Sequence, residues 1–583
     1  MIHRQARGPR VWLWPDGTAA GRIDLSPILE SCNTSKSLRS PTGQWSIRLQ
    51  PSLARGSRSI FSAGDFARLI RPNAVVTIGR DRPGGIMVGL VNSVSRQRSW
   101  SGAGDTITVS GEDFGKVLVN DAIVRAMATV QDFDQFAAKI EAVAPGTSLT
   151  NQLAGVWGPE RWDGSNAFVQ ATVEEVVRWV LSTVTTVRIP MLAGIGGNSR
   201  GTIGNFMFGA VVPSWNDGRI QSENLWSYTG SIWSFLNTVI DHEFYEVFVD
   251  SYGGANSTLT SAWVTTFMGA EDVPVVSGTL ERRTLVGGRA FVSENASRPL
   301  PDVALVVRPK PFDEAALSFL DTRETPGLTW EDLRTAISGA QHHVIPADAV
   351  ISEAMSVNDA QVFSYFNVTS NYDIAGNPIA ASEGLFYPAI DLFALQNHGV
   401  RPYEASLSLL GSDVYGREVG SREFVANLGS EVLEFRNRLF NWYRLNAWFE
   451  SGSVTVAEFD AFRVGDPVFL PWKEPMRWPG ASRYGANPRG MRYYCTGVQT
   501  AWTYGGIHTS TLTLERGHNA ALVEAATAQI NAAGGGALGM PSMIAALPDT
   551  KWFEGPAGGP RPFGGVTDTS KLTTVPSSAR VRR

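Results

Sequence analysis

The chain has 583 residues, with 50 Lys+Arg against 55 Asp+Glu, 18% charged residues, 59 glycines and 18 tryptophans. Its 43% hydrophobic and 10% aromatic residues exclude general disorder, which requires few aromatics and much charge; at roughly 100–200 residues per domain the length predicts about three to five domains. Charge below the ~25% usual in soluble domains points to surface buried against neighbours, because interface cores are depleted in charge and rich in aromatics.

In chain order, residues 10–118 read as β structure. Short alternating segments at 11–14, 43–49, 75–78, 85–95 and 105–111 recur between Gly, Pro and Asp turns, the spacing of a small barrel or sandwich. Beyond about 118 the apolar residues fall three and four apart, predicting helices over 122–127 and 133–143. A further helix is predicted over 173–181, where Glu174 and Glu175 suit the positive end of the helix dipole. The Gly/Asn/Ser-rich stretch 194–209 reads as a loop. An amphipathic helix follows at 231–242, with Ile232, Phe235, Leu236, Val239 and Ile240 on one side. Strands are expected at 244–250 and 303–308, the latter stopped by Pro309-Lys310-Pro311, and a short helix at 330–337.

The second half repeats this style. Strands are predicted at 350–356 and 363–369, joined by an Asn358-Asp359 turn, then the longest helix at about 430–449. Strands at 453–458, 466–470, 493–499 and 508–515 follow. From about Gly534 the chain turns rich in Gly and Pro, a composition that forms an extended arm rather than a core. No fixed-period repeat is present, which excludes solenoids and propellers. The expected fold is α+β, β-rich and multidomain: a first β-barrel-like module (1–120), a mixed α/β middle region (121–345), a second β-barrel-like module with the inserted helix (346–518), and a short helix with an extended C-terminal arm (519–583).

Charge is unevenly placed. Residues 1–100 carry 15 Lys+Arg, 14 of them Arg, against 5 Asp+Glu, while the rest of the chain carries 35 against 50. A basic module on an acidic body fits contact with an acidic protein partner or a neighbouring copy. Nucleic acid is the competing partner, but the arginines sit in strand-like sequence without a basic helix or a stacking-aromatic motif.

Each apparent chemical motif fails on context. Cys32 and Cys495 have no Cys or His companion and read as two buried free thiols in a reducing compartment. The first ten residues lack the apolar run of a signal peptide, and no stretch of about 18 uncharged apolar residues exists to span a membrane. Gly197-Asn198-Ser199-Arg200-Gly201 has the letters of a nucleophile elbow without the strand before and helix after it. Gly534, Gly536 and Gly539 mimic a dinucleotide fingerprint, but prolines replace the helix that it should open. Asp241-His242-Glu243 are adjacent and cannot all face one metal, and His342-His343 has no third ligand in view. His3, His398, His508 and His518 are isolated. No catalytic, cofactor-binding or metal-ligating residue is assigned, and no cofactor is expected.

Several segments taken together carry a resemblance. They are 105–118 (DTITVSGEDFGKVL), 231–250 (SIWSFLNTVIDHEFYEVFVD), 303–312 (VALVVRPKPF), 401–404 (RPYE), 462–469 (FRVGDPVF) and 493–517 (YYCTGVQTAWTYGGIHTSTLTLERG). In this order the chain resembles the tail or baseplate hub proteins of bacteriophages, the family of the T-even baseplate hub. The resemblance spans most of 1–518 and does not extend to the C-terminal arm. It implies two related barrels per protomer, three protomers in a pseudo-sixfold ring, and a structural role at the tail tip of the virion after assembly in the host cytoplasm. Implied partners are further copies in a homotrimer, the tail tube or distal tail protein, the tape measure protein and a central spike or fibre, with DNA passing through the ring. A tail-associated cell-wall hydrolase or peptidase is the alternative from another class. The hub of a gene-transfer, pyocin-like or secretion particle would keep the fold and change the machine.

Overall fold

The computed structural model describes residues 8–15, 23–50, 69–79, 86–97, 106–120, 122–124, 202–203, 206–211, 219–220, 229–240, 242–243, 245–251, 303–309, 343–370, 389–407, 409–410, 432, 435–437, 439–440, 442–457, 462–478 and 489–532. The helices expected at 133–143, 173–181 and 330–337, and the C-terminal arm, lie outside these residues.

The first part of the chain supplies β1 (Arg10–Trp14), β2 (Ile23–Asp24), β3 (Leu29–Ser37), β4 (Gln44–Leu49), β5 (Val75–Gly79), β6 (Met87–Gln97) and β7 (Thr106–Asp113). They pair antiparallel in the order β2-β1-β5-β6-β7-β4-β3. Alternation decides which side chains are covered: in β4, Trp45, Ile47 and Leu49 are buried while Gln44 and Arg48 face out. Trp45 fits only because β6 and β7 place Gly89 and Gly111 beneath its indole, where an added Cβ would overlap the ring. A helix then forms earlier than the apolar spacing suggests. It is α1 (Gly115–Asn120), and β8 (Ala122–Val124) replaces the helix expected at 122–127. The β-branched Ile123 and Val124 favour a strand once a partner strand is available.

That partner comes from the middle region, which contributes β9 (Thr202–Ile203), β10 (Phe206–Val211), β11 (Arg219–Ile220), β12 (Thr229–Ser231), α2 (Ile232–Val239), β13 (Tyr245–Ser251) and β14 (Val303–Pro309). β12 pairs with β8. β9 and the first part of β10 fall within the expected 194–209 loop; the apolar run Phe206-Met207-Phe208 overrides the glycine-rich context by joining a sheet ordered β13-β14-β10-β9. α2 forms where its pattern predicts, and the Ser231 hydroxyl caps it by accepting from the Ser234 amide at 3.0 Å.

The last part supplies β15 (His343–Val344), β16 (Val350–Ser356), β17 (Tyr365–Ser370), β18 (Ala389–Ile390), α3 (Leu392–His398), β19 (Pro402–Leu407), β20 (Leu409–Leu410), β21 (Glu450–Val456), β22 (Pro467–Leu470), β23 (Met491–Thr503), β24 (Thr509–His518) and α4 (Ala520–Ala532). β16 and β17 do not form the hairpin expected around Asn358-Asp359. β16 pairs with β21, whereas β17 lies between β18 and β19 in a separate sheet. The Asp359 carboxylate is held 2.6 Å from the Arg401 guanidinium, which directs the chain toward β19. The long helix expected over 430–449 ends early: residues 442–443 are helical, 444–448 form turns and β21 begins at Glu450. The Arg463-Val464-Gly465-Asp466 turn launches β22, with Gly465 at φ 82°, a value that favours glycine.

The two β parts are one sheet. β3 pairs antiparallel with β23, from Ser37 opposite Gly497 to Ser31 opposite Thr503. This makes a 13-stranded sheet with the path β16-β21-β24-β23-β3-β4-β7-β6-β5-β1-β2, extended by β22 on β23 and β15 on β22. One core lies on the first side, with Trp45, Ile47, Leu49 and Val109, and it includes Trp502 from β23. The other holds Val454, Leu512 and Leu514 from the last part, Leu522 and Ile530 from α4, and Phe248 and Val306 from the middle region. Each core thus takes side chains from more than one stretch of sequence. The end strand β16 carries a register shift between Val350 and Ser352 and a Glu353–Lys473 ion pair at 2.6 Å, features that blunt a sheet edge.

Candidate interaction site at the three-way junction

β3 is the strand on which the first part, the last part and the middle region meet. It is polar for a central strand, Leu-Glu-Ser-Cys-Asn-Thr-Ser-Lys-Ser. Two of its side chains cross the seam. The buried hydroxyls of Thr34 and Thr500 lie 2.6 Å apart. Lys36 is mostly covered, with its ammonium 3.2 Å from Asp250 Oδ1 on β13 and 3.7 Å from Asp113 Oδ2 at the end of β7. One cation therefore serves two carboxylates from two other parts of the chain.

The backbone completes this cluster. Asp113 Oδ1 accepts from the Gly115 amide at 2.8 Å, while Oδ2 has the Lys36 charge nearby and no hydrogen-bond partner among the described residues. Asp250 Oδ1 accepts from the Ser251 amide at 2.8 Å, and the Ser251 hydroxyl accepts from the Val88 amide of β6 at 3.1 Å. Burial pushes the Asp113 carboxyl up to about 6; Lys36 and the Gly43 and Gly115 backbone oppose that rise, and Asp250 adds to it.

Further acids, most of them buried, tie neighbouring elements together. The Tyr494 hydroxyl of β23 donates to the Glu246 carboxylate of β13. His343 Nε2 lies 2.8 Å from Asp466 Oδ2, and the Phe462 ring packs 4.7 Å from the imidazole. Burial holds the Asp466 carboxyl above its ordinary range against the lowering effect of His343. Tyr493 donates to Glu450, and Tyr403 donates to Glu243 beside the rings of Phe363, Phe366 and Tyr443. Burial is the first cause that raises both phenols far above their usual value. Arg516, at φ 59°, stacks 3.5 Å over Trp442 and donates to the Trp442 carbonyl and Asn446.

These groups are cross-links between elements. Each acid is matched to a donor from another stretch of sequence, and Asp113, Glu246, Asp250, Glu450 and Asp466 are buried. Such matching stabilises one arrangement of the three parts, because breaking a buried pair strands a charge.

The residues weighed from sequence are dispersed. Gly197–Gly201, the Gly534 segment, Asp241, His3 and His342 lie outside the described residues. His242 Nε2 lies 2.6 Å from the Asn237 amide group, at the end of α2. Glu243 faces Tyr403, His398 closes α3, His508 is buried, and His518 Nδ1 is 2.6 Å from the Arg516 carbonyl. Of these histidines, His343 joins the junction. Cys32 and Cys495 are free and buried, as expected, and burial raises both thiols, Cys32 to about 12. Sequence reasoning missed Lys36, Asp113, Glu246, Asp250 and Asp466. A signal existed in FYEVFVD, where Glu246, Phe248 and Asp250 share one face of an otherwise apolar strand that is buried throughout.

Among the described residues no group of three or more His, Cys, Asp or Glu side chains is placed to hold a metal ion, and no helix is long and apolar enough to cross a membrane. No family model matches the sequence, and no curated protein matches it. Solved structures do. The chain is similar to a tail protein from Neisseria meningitidis MC58, at 9% identity and a TM-score of 0.40 over 89% of this chain and 99% of that one. It is similar to the 43 kDa tail protein of prophage MuSo2 from Shewanella oneidensis, at 10% identity and a TM-score of 0.35 over 88% and 97% of the two chains. A prophage tail protein from Listeria monocytogenes EGD-e gives 10% identity and a TM-score of 0.34 over 90% and 98%. Tail proteins, two of them from prophages, are thus what this chain is similar to.

Proposed function

We propose that the protein is a structural hub of a phage-type tail tip or baseplate. Three copies form a ring that joins the sixfold tail tube and the tape measure protein to a central spike or fibre, around the path by which DNA leaves. The observation that carries this reading is the continuous sheet built by the β3–β23 seam. Two β parts from opposite ends of the chain present one extended platform, and the middle region is fastened to it by the Lys36–Asp250 ion pair and the Tyr494–Glu246 hydrogen bond. A connector that transmits force between tube and spike needs that kind of rigid, multiply cross-linked surface. The sequence resemblance over most of 1–518 supports the same role. The basic first module, 15 Lys+Arg against 5 Asp+Glu over residues 1–100, suits docking on the acidic body of a neighbouring copy. The Gly/Pro-rich arm after about residue 534 suits an extended contact with an adjacent subunit.

Two solution measurements test the reading. The native mass of the purified chain at micromolar concentration is expected to be that of a trimer, and the same sample is expected to leave peptidoglycan intact in a zymogram. A stable monomer that clears peptidoglycan, with clearing abolished by one acid or histidine substitution, would replace the hub by a tail-associated hydrolase.

A further inference from the structure

We propose that Lys36, Asp113 and Asp250 form an acid-tightened latch, which holds β13 of the middle region against the shared sheet more firmly in mild acid than at neutral pH. Geometry sets up the device. Asp113 is fully buried at the end of β7, Asp250 reaches in from β13, and the ammonium between them belongs to Lys36 of β3, at 3.7 and 3.2 Å. The surroundings add more acid than base. Asp466 of the turn before β22 lies within electrostatic reach of Asp250, with His343 bonded to it and Arg463 facing it. Glu246 on the same face of β13 is bonded by the Tyr494 phenol, and Glu112 next to Asp113 faces Lys116. At neutral pH the core of this junction therefore holds excess negative charge, and taking up a proton relieves it.

The direction follows from linkage. Asp113 titrates at about 6 in the folded chain against an ordinary 3.8. A carboxyl raised on folding contributes stability that is fully present below the unfolded value and is lost as pH rises through the folded one. The latch is therefore tight near pH 4 to 5 and loosens through about pH 6.

Hydrogen exchange of the full-length protein reads the latch directly. With intrinsic rates corrected, the local opening constant of the β13 amides is expected to be on the order of 10-fold smaller at about pH 5 than at about pH 8, because pH 5 lies about one unit below the folded value of about 6 and each unit is worth a factor of ten. Asp113→Asn keeps the hydrogen bond to the Gly115 amide and removes the titrating charge. It should protect β13 equally at both pH values, within about threefold. Equal protection of wild-type β13 at both pH values overturns the proposal without any variant. Full pH dependence in Asp113→Asn, or loss of it in His343→Gln instead, assigns the titration elsewhere and also overturns it.

Discussion

Replacing Trp45 by alanine will lower stability by about 3–5 kcal/mol, the range for deleting a large aromatic from a packed core. The side chain is 3% exposed. Its indole rests on Gly89 and Gly111, and Nε1 donates to the Glu112 carbonyl at 3.3 Å. No side chain can collapse into the void from those two positions, because both are glycine. The cavity therefore stays open and the full cost is felt. The effect will reach the other side of the seam, since Trp502 of β23 belongs to the same core as Trp45. Urea unfolding combined with hydrogen exchange checks both parts: the midpoint falls, and amides of β23 and β24 lose protection together with those of β4. A loss below about 1 kcal/mol, small beside the usual cost of core truncation, or one confined to the first seven strands, would contradict a single shared sheet.

Lys36→Met will have an effect of the same order, about 3–5 kcal/mol at pH 8, because it strands two buried carboxylates. Unlike the tryptophan variant, its deficit will depend on pH. Lys36 is one of the groups that hold Asp113 down against burial, so without it the carboxyl rises above its wild-type value of about 6. A protonated Asp113 no longer needs the cation. The difference between variant and wild type will therefore shrink as pH is lowered from about 8 to about 5, within the span of that titration. Chemical denaturation at the two pH values measures it. A deficit that is constant with pH would mean that Lys36 acts through its aliphatic stem rather than through its charge.

What could be read from sequence followed the regularity of each element. β4, β7 and β24 alternate, β13 and β22 are mostly apolar runs, and all five appear within a few residues of their predicted positions; α2 was visible through its apolar stripe. β3 was not, although it is the seam. A register shift between Leu29 and Ser31 breaks its period, so the buried Leu29, Cys32 and Thr34 are spaced three and then two apart. Its Ser, Asn and Lys residues then leave no alternating apolar pattern to mark it as a strand. Gly89 and Gly111 carried no visible meaning either, because what they accommodate is a tryptophan from a different strand. The junction was hidden for a related reason. Lys36, Asp113, Asp250 and Asp466 lie far apart in sequence, and only the topology brings them together. The uneven charge of the chain was legible as a number. That one of the basic residues of the first module is used inside the molecule, to fasten the middle region, was not.

The role proposed for this rigid three-part platform is that of a ring at the tip of a tail. Particles carrying the chain with a small internal tag, imaged by electron cryo-microscopy, test that role most directly. Three copies are expected around the tail axis at the tip, between tube and spike, with the β3–β23 pairing continuous inside each copy. Copies distributed along the tube, or attached at the tip without threefold order, would contradict it.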